Sequence, residues 1–183
     1  MLARVVLTGA PGSGKTALLE GLRARGYAVV EEAATDVIAA QQARGIAEPW
    51  SRADFTEAIV ALQRARQAAP VPATVRVQLF DRSPLCTLAL ARYLRHRVGP
   101  VLRAEVERVV REQVYEREVL LVRPLGFVVP TAARRISYED SLAFQAVHET
   151  VYSEHGFELI DVPAGSTSER VAAVEAHLRS NLR

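Results

Sequence analysis

Cysteine is nearly absent from this sequence. Cys86 is the single cysteine among 183 residues, which excludes an intramolecular disulfide and any zinc site built from several cysteines. A chain of this length needs neither of them, because a domain of this size buries roughly 70% of the surface that its unfolded chain exposes. The cysteine content is that expected of a protein in a reducing cytoplasm.

Long apolar runs are also absent. None approaches the roughly 18 consecutive residues that a membrane-spanning helix needs, and the sequence passes from Met1 directly into a short strand-like segment. We therefore expect no membrane partner, no signal peptide and a cytoplasmic protein. With 49% apolar and 24% charged residues, the composition excludes a disordered or fibrous chain and predicts a single domain over residues 1–183.

Lysine is the rarest basic residue. The 23 basic residues comprise 22 arginines and Lys15, against 21 acidic residues, so the net charge is only +2. Between residues 105 and 117 the arginines alternate with glutamates, as on the solvated face of a helix. Because the sequence carries no basic stripe, it argues against nucleic acid as a partner. It indicates no oligomeric state.

Strand-like and helix-like segments alternate along the chain. Short segments rich in β-branched residues predict five strands, at residues 3–8, 27–32, 75–80, 119–122 and 157–162. Helical periodicity predicts seven helices, at residues 15–25, 34–44, 52–69, 84–96, 101–117, 138–155 and 166 to about 182. This alternation indicates an α/β fold, a three-layer sandwich in which helices cover a mainly parallel five-stranded sheet on both faces.

Serine precedes four of the helices and predicts their N-caps. A serine hydroxyl at this position accepts a hydrogen bond from a backbone N–H of the first helical turn, which has no partner inside the helix. The predicted caps are Ser51, Ser83, Ser137 and Ser166.

The most specific motif follows the first strand. Residues 9–16, GAPGSGKT, match the pattern G-x-x-x-x-G-K-[ST] between a predicted strand and a predicted helix, which makes the fold a P-loop NTPase sandwich. Glycines let backbone N–H groups surround phosphate oxygens at the helix N-terminus. Lys15 reaches the β and γ phosphates, and the Thr16 hydroxyl holds Mg²⁺. The candidate nucleotide-binding residues are Gly9, Ala10, Pro11, Gly12, Ser13, Gly14, Lys15, Thr16 and Ala17.

Charged residues follow the second and third strands, at the edge where open parallel sheets bind ligands. After the third strand, Asp81 can orient Mg²⁺ directly or through water, and Arg82 can clamp a phosphoryl group. A surface ion pair is the alternative interpretation of these two residues. After the second strand, alternation lets only one of Glu31 and Glu32 face the site. We favour Glu32 as the group that orients or deprotonates an attacking hydroxyl.

Periodicity disappears between residues 124 and 137, which predicts a small mobile lid. Arg134 and Arg135 in this segment can close over a nucleotide and neutralise charge on the transferred phosphoryl group. Two solvated loop arginines are the alternative.

Other candidates carry weaker signals. Trp50 lies near the expected acceptor entrance and either stacks on a ring or acts as a hydrophobic staple before Ser51. Cys86 is interpreted as a small buried residue. No histidine shows metal-ligand spacing, which favours surface or capping roles for His96, His148, His155 and His177.

Five segments in order carry a family resemblance: GAPGSGKT, VVEEAATDVI, LFDRSPL, ARRISYED and the helix that runs to YSEHGFELIDVP. Together they resemble small bacterial P-loop ATP-binding proteins of the AAA-domain ATPase family, grouped with the NadR-type nicotinamide riboside kinase domain. The layout is more distantly similar to nucleoside and nucleoside monophosphate kinases. The resemblance covers nearly the whole chain and implies ATP and Mg²⁺ as cofactors.

The resemblance also implies roles for individual residues. It places the glutamate of the family at Glu32, its D-R pair at residues 81–82, and its lid arginine at Arg134 or Arg135. The family commonly has an arginine where this chain has Thr35, and an aspartate where it has residues 85–87. Both departures lie on the acceptor side, so the resemblance implies ATP use without naming the acceptor.

Two functional hypotheses follow. The first is a kinase that transfers the γ-phosphate of Mg·ATP to a hydroxyl or phosphate of a small, nucleoside-like acceptor. The alternative is an ATPase switch that couples hydrolysis to a partner protein, and a nucleotide-binding protein without chemistry is a third possibility. No N-K-x-D guanine motif occurs, which argues against a Ras-like GTPase.

The single lysine allows a direct test. We expect Lys15→Arg to abolish ADP production from ATP while the fold stays intact, because the planar guanidinium is a poor substitute for a compact ammonium between the β and γ phosphates. ADP release and circular dichroism of the two proteins measure this. Near-normal turnover of the variant would contradict the assignment.

Overall fold

The computed structural model describes residues 2–126 and 137–181. Its sheet has five strands, and all strand pairings are parallel in the order β2-β3-β1-β4-β5. The strands are β1 (Ala3–Thr8), β2 (Ala28–Val30), β3 (Val77–Asp81), β4 (Glu118–Val122) and β5 (Glu158–Val162). The predicted parallel sheet is confirmed, and β1 is its central strand.

The helices connect the strands. A 3-10 turn (Pro49–Ser51) precedes the third helix. The helices are α1 (Lys15–Ala24), α2 (Ala33–Gln42), α3 (Phe55–Ala68), α4 (Pro84–Tyr93), α5 (Pro100–Arg111), α6 (Tyr138–Glu154) and α7 (Thr167–Asn181). Within the described residues, no helix is long and apolar enough to span a membrane.

Two apolar clusters lie on opposite faces of the sheet. Successive side chains of a strand point to opposite faces, so Val5 and Leu7 of β1 pack with α1 and α7, whereas Val6 packs with α4, α5 and α6. Each fully buried Val or Leu side chain contributes about 1.5–3 kcal/mol relative to exposure. These two cores produce the predicted three-layer sandwich.

Several predicted helix boundaries are wrong, for local reasons. The third helix begins at Phe55 rather than at residue 52, because Ser51 belongs to the 3-10 turn and its hydroxyl donates to the carbonyl of Glu48. The fourth and fifth helices end earlier than predicted. Arg95 and Gln113 adopt left-handed backbone angles there, with φ of 55° and 48°, and a left-handed residue interrupts a right-handed helix.

The other predicted serine caps form. Ser83 Oγ accepts from the backbone N–H of Leu85 at 3.2 Å, and Ser137 Oγ accepts from that of Asp140 at 3.0 Å. Ser166 Oγ accepts from the N–H of Glu169 at 3.3 Å. These bonds satisfy N–H groups that have no partner within their helices.

The parallel arrangement brings the ends of β1, β2 and β3 to one edge of the sheet. Leu7 of β1 lies opposite Asp81 of β3, and the N–H of Arg82 donates to the carbonyl of Leu7 at 3.1 Å. Three segments with candidate site residues therefore begin close together at this edge: the P-loop after β1, the glutamate pair after β2 and the D-R pair after β3. A ligand site at the carboxyl ends of the strands requires this proximity.

Ser83 and Ser137 provide a matched stability test. Both cap a helix, but Ser83 is buried and also bonds the Tyr152 hydroxyl at 2.7 Å, whereas Ser137 is exposed. We expect Ser137→Ala to lower the free energy of unfolding by about 1 kcal/mol and Ser83→Ala by about 2 kcal/mol, because the second variant also deprives a buried hydroxyl of a partner. Urea titration measures both values. Equal losses would contradict this account.

Candidate functional site

The loop after β1 has backbone angles that glycine adopts readily. Gly9, Gly12 and Gly14 have φ of 138°, 82° and 82°. A Cβ on Gly9 would lie 2.5 Å from the carbonyl oxygen of Val122, so β4 leaves no room for a side chain there. This loop ends at the N-terminus of α1, where backbone N–H groups are available to an anion.

The Lys15 ammonium lies inside this loop. Its Nζ donates to the carbonyl oxygens of Gly9 at 3.1 Å and Ala10 at 3.0 Å, and to Ser13 Oγ at 3.2 Å. Burial, reinforced by the nearby Arg82 guanidinium, lowers the pKa of Lys15 to about 7. The Asp81 and Glu32 carboxylates raise this pKa by less than burial and Arg82 lower it, so a phosphate group beside the ammonium would further stabilise its charged form.

Asp81 ends β3 and Thr16 lies in the first turn of α1, and their role as Mg²⁺ ligands stays a prediction. Asp81 is 8% exposed, and its Oδ1 is buried without a hydrogen-bond partner among the described residues. Burial raises the pKa of Asp81, the Lys15 ammonium opposes that rise, and the Glu32 carboxylate adds to it. A buried carboxylate oxygen without a donor fits a cation or its hydration shell.

The described residues form no metal cage of their own. Within residues 2–126 and 137–181, no three His, Cys, Asp or Glu side chains cluster as a metal cage would require. Mg²⁺ bound with a nucleotide needs only one or two protein oxygens, because phosphates and waters complete its shell.

Glu32 and Glu31 have different environments. Glu32 Oε1 accepts from Arg82 Nε at 2.5 Å, and its Oε2 accepts from Thr35 Oγ1 at 2.9 Å. Glu31 is exposed and forms an ion pair with Arg23 on α1. The structure thus brings Glu32 together with the D-R pair and directs Glu31 away from it. The catalytic role of Glu32 stays a prediction.

Burial and nearby positive charges have opposite effects on the pKa of Glu32. Burial raises its pKa, but the positive charges of Arg82 and Lys15 outweigh burial and leave the pKa below its ordinary value. The same contact affects the pKa of Arg82. Burial lowers this pKa, but the negative charge of Glu32 raises it, and the result lies above the ordinary value. Both side chains are therefore charged at neutral pH.

Arg82 adopts an unusual backbone conformation. Its φ is 74°, in the left-handed region that costs a non-glycine residue of order 1 kcal/mol or more. Arg82 Nη1 also lies 3.2 Å from His148 Nε2. The guanidinium is thus held by a carboxylate on one side and an imidazole on the other, which compensates the strained backbone.

A cavity of about 330 Å³ opens beside this ion pair. Its wall includes Pro11 of the P-loop, Glu32 and Arg82, so the nucleotide-binding loop and the arginine of the D-R pair face the same space. Apolar side chains form most of the remaining wall, and six of them are Ile38, Trp50, Phe55, Ile59, Leu90 and Phe144.

Gln63 and Thr87 supply neutral polar groups to the cavity. Thr87 Oγ1 donates to Gln63 Oε1 at 3.0 Å, which orients the amide of Gln63. Trp50 lines the cavity and packs on the apolar cluster of α2 and α3. It is not a staple before an N-cap at Ser51, because both residues belong to the 3-10 turn and α3 begins at Phe55. Cys86 is 2% exposed, which confirms that it is a small buried residue.

Two buried residues escaped the sequence analysis. His148 is 0% exposed, so its assignment to the surface or a cap is wrong. A signal was present, because residues 144, 148, 151 and 152 follow the spacing of one buried helical face.

Arg170 has no comparable signal in the sequence. It is 3% exposed and donates to the carbonyl oxygens of Ser13 at 2.7 Å, Arg123 at 2.7 Å and Pro163 at 3.1 Å. It therefore links α7 to the P-loop through contacts between distant parts of the chain.

The two predicted lid arginines, Arg134 and Arg135, lie outside the described residues.

Comparisons with known proteins agree on the fold. The family model described as an AAA domain matches residues 4–170. NadR in complex with NAD and AMP-PNP is similar, with a TM-score of 0.68 at 17% identity over 97% of this chain and 49% of NadR. NadR in complex with NR gives 0.69 at 16% identity, over 97% of this chain and 50% of that one. The chain thus spans about half the length of NadR.

Deoxyadenosine kinase from M. mycoides, with the products dCMP and a flexible dCDP bound, is also similar. Its TM-score is 0.62 at 15% identity, and the match covers 97% of this chain and 99% of the kinase. No curated protein matches the chain in sequence. At these identities the structural similarity establishes a shared fold.

Gly14 and Gly26 allow a test of the loop geometry. Both have positive φ, 82° and 93°, but a Cβ on Gly14 would lie 2.9 Å from Arg170 Nη1, whereas a Cβ on Gly26 meets nothing within 4 Å. We expect each alanine variant to lose about 1–2 kcal/mol of stability from left-handed strain.

Only Gly14→Ala should weaken ATP binding, because only this variant displaces Arg170 from the P-loop carbonyl. We expect a loss of about tenfold or more, which corresponds to about 1.4 kcal/mol. Calorimetric titration with ATP measures the affinity. Equal affinities of the two variants would show that the Arg170 contact does not shape the loop.

Proposed function

The chain belongs to the AAA domain family, whose model matches residues 4–170, and on this premise we propose that it is a P-loop kinase. It transfers the γ-phosphate of Mg·ATP to a hydroxyl or phosphate of a small, nucleoside-like acceptor. One observation carries the proposal: Pro11 of the P-loop, Glu32 and Arg82 line the same cavity. A donor phosphate on the loop and an acceptor in the cavity would meet at the ion pair.

The P-loop binds the triphosphate of ATP. Its N–H groups and the Lys15 ammonium surround the phosphate oxygens, and phosphate charge stabilises the protonated form of this buried lysine. Thr16 and Asp81 are the residues that would hold Mg²⁺, which neutralises phosphate charge when it is bound. Arg170 supports the loop through the carbonyl of Ser13.

Glu32 orients the acceptor. The positive charges beside it lower its pKa, so at neutral pH it accepts a hydrogen bond from an acceptor hydroxyl. A carboxylate with a low pKa is a weak base, but phosphoryl transfer proceeds through a loose transition state in which positioning and charge stabilisation dominate. Thr35 Oγ1 donates to Glu32 Oε2 at 2.9 Å, and Arg82 Nε donates to Glu32 Oε1.

Arg82 binds the transferred phosphoryl group. Glu32 occupies its Nε and His148 its Nη1, and among the described residues its Nη2 has no hydrogen-bond partner. A guanidinium held in this way presents donors to an oxyanion at a fixed orientation. Arg134 or Arg135, which lie outside the described residues, are proposed to add a further positive charge when the lid closes.

The cavity favours a planar acceptor. Its volume of about 330 Å³ falls within the usual range for small-molecule sites, roughly 300–1,000 Å³. Aromatic walls from Trp50, Phe55 and Phe144 suit a ring, and the oriented amide of Gln63 offers hydrogen bonds to polar atoms on it. NR and dCMP in the similar structures are of the same chemical kind.

An acceptor panel tests the reaction. ADP release from Mg·ATP is measured with nucleosides, nicotinamide riboside and short sugars, and we expect a nucleoside-like compound to raise the rate above the basal value. Glu32→Gln should lower the stimulated rate by about 10²-fold, the order of loss expected when a reacting group is misplaced by about 1 Å. Glu31→Gln is the matched control, because Glu31 is adjacent in sequence but exposed and paired with Arg23.

Three outcomes would count against the kinase. If no acceptor stimulates ADP release, phosphotransfer to a small molecule is contradicted. If Glu31→Gln and Glu32→Gln have equal effects, the site is misassigned. If ATP is hydrolysed without an acceptor, and a partner protein binds the ATP and ADP states with different affinity, the ATPase switch replaces the kinase.

A further inference from the structure

His148 is fully buried on α6, directly against the Arg82 side chain. Two hydrogen-bond contacts determine the state of its ring. His148 Nδ1 lies 3.0 Å from the carbonyl oxygen of Phe144, and a carbonyl oxygen only accepts. His148 Nε2 lies 3.2 Å from Arg82 Nη1, and a guanidinium only donates.

Both contacts require the same tautomer. The hydrogen must be on Nδ1, where it is donated to the Phe144 carbonyl, and Nε2 must carry the lone pair that accepts from Arg82. An imidazolium has no lone pair to offer and would place a second positive charge against the guanidinium.

The surrounding charges favour the neutral ring. Burial and, after it, the Arg82 charge lower the pKa of His148 well below its ordinary value. The Phe144 carbonyl opposes this with a smaller effect, and Lys15 adds a still smaller lowering. The charged groups involved come from the turn after β3 and from the P-loop. Glu32, the nearest carboxylate to this arginine, is bonded to Arg82 Nε.

We propose that His148 is a positioning residue, which in its neutral Nδ1–H form accepts a hydrogen bond from Arg82 and fixes the orientation of the guanidinium opposite Glu32. The inference deepens the proposed function and rests on it, because the orientation of Arg82 affects the rate only if Arg82 binds the transferred phosphoryl group. The histidine itself touches neither ATP nor acceptor.

Two partners hold the guanidinium better than one. A single bond from Arg82 Nε to Glu32 lets the planar guanidinium tilt about that contact, whereas a second bond at Nη1 fixes the orientation of its plane. Misplacing a catalytic group by about 1 Å can lower a rate by about 10²-fold. Arg82 has a left-handed backbone conformation, and its side chain extends to α6, where Nη1 contacts His148 Nε2.

The same helix also borders the acceptor cavity. The rings of Phe144 and His148 pack with their centroids 4.3 Å apart, and Phe144 packs on Tyr93 at 4.7 Å. Phe144 lines the cavity. Phe144 and His148 are one helical turn apart on α6. In the proposal, Phe144 contacts the acceptor and His148 positions the arginine that binds the phosphoryl group. The helix therefore keeps these two parts of the site at a fixed separation.

Kinetic measurements on two substitutions test the hydrogen bond. His148→Phe keeps a ring against Phe144 but removes the acceptor, whereas His148→Gln can place its amide oxygen near the position of Nε2. With the acceptor identified in the panel, we expect His148→Phe to lower kcat by about 10–100-fold. The KM for ATP should change little, and His148→Gln should recover most of the rate.

His155 provides the matched control. It ends the same helix, and its Nδ1 contacts the carbonyl of Val151 at 2.7 Å, just as His148 contacts that of Phe144, but among the described residues no arginine forms a hydrogen bond with its ring. His155→Phe should retain the wild-type kcat. Wild-type kcat in His148→Phe, or equal losses in the two phenylalanine variants, would overturn the proposal.

The tautomer is measured without any enzymatic activity. Long-range ¹H–¹⁵N correlation spectra of the ¹⁵N-labelled full chain, assigned by comparison with His148→Gln, report which ring nitrogen carries hydrogen. We expect Nδ1 to be protonated and Nε2 unprotonated at pH 7, and the ring to stay neutral below the pH at which an ordinary histidine titrates. An Nε2–H tautomer or an imidazolium at pH 7 would overturn the proposal, even if His148→Phe does not fold.

The two failures are therefore distinguishable. If the spectra show the Nδ1–H form but no acceptor is phosphorylated, the kinase assignment fails and the proposed effect of His148 on catalysis fails with it, while the hydrogen bond stands. If an acceptor is phosphorylated and His148→Gln does not outperform His148→Phe, the positioning role fails and the kinase stands.

Discussion

The largely buried guanidinium of Arg82, whose side chain is 12% exposed, is the charge on which the arrangement of the site depends. Removing such a group from water is costly, and the cost is tolerable only where strong partners replace the lost hydration. Glu32 supplies the opposite charge and His148 supplies a neutral acceptor. In return, the guanidinium contributes to keeping Glu32 ionised, His148 neutral and the pKa of Lys15 low.

The backbone that delivers Arg82 depends in turn on the sheet. Arg82 follows β3 immediately and extends its pairing with β1 through the carbonyl of Leu7, so the guanidinium and the P-loop start from adjacent strands. The two apolar cores hold this edge rigid from both faces. Helix α6 closes the arrangement, because it packs in one core and presents His148 and Phe144 to the ion pair and the cavity.

Much of this architecture could be predicted. The strand–helix alternation, the parallel sheet and the phosphate loop follow from periodicity and from one highly specific motif. The ends of α4 and α5 were harder to predict. Arg95 and Gln113, which follow these helices, adopt left-handed backbone angles that their residue types do not indicate. The environments of Glu31 and Glu32 could be ranked but not established from alternation alone, since the orientation of a strand end depends on the elements packed around it. His148 was assigned wrongly, because the residue type alone is compatible with an exposed or a buried helical face, whereas the spacing of residues 144, 148, 151 and 152 indicates the buried one.

Local features could be derived from the amino-acid sequence: which segments form strands, which loop matches a phosphate-binding motif, and that Lys15 is the single lysine of the chain. Such features depend on residues that are neighbours in the chain. Only the tertiary structure decided which distant side chains meet, including Arg82 with His148, 66 positions apart, and Arg170 with Ser13, 157 positions apart. These contacts follow from the packing of whole helices against the sheet, and their hydrogen bonds and charges determine the protonation states that the proposed chemistry uses.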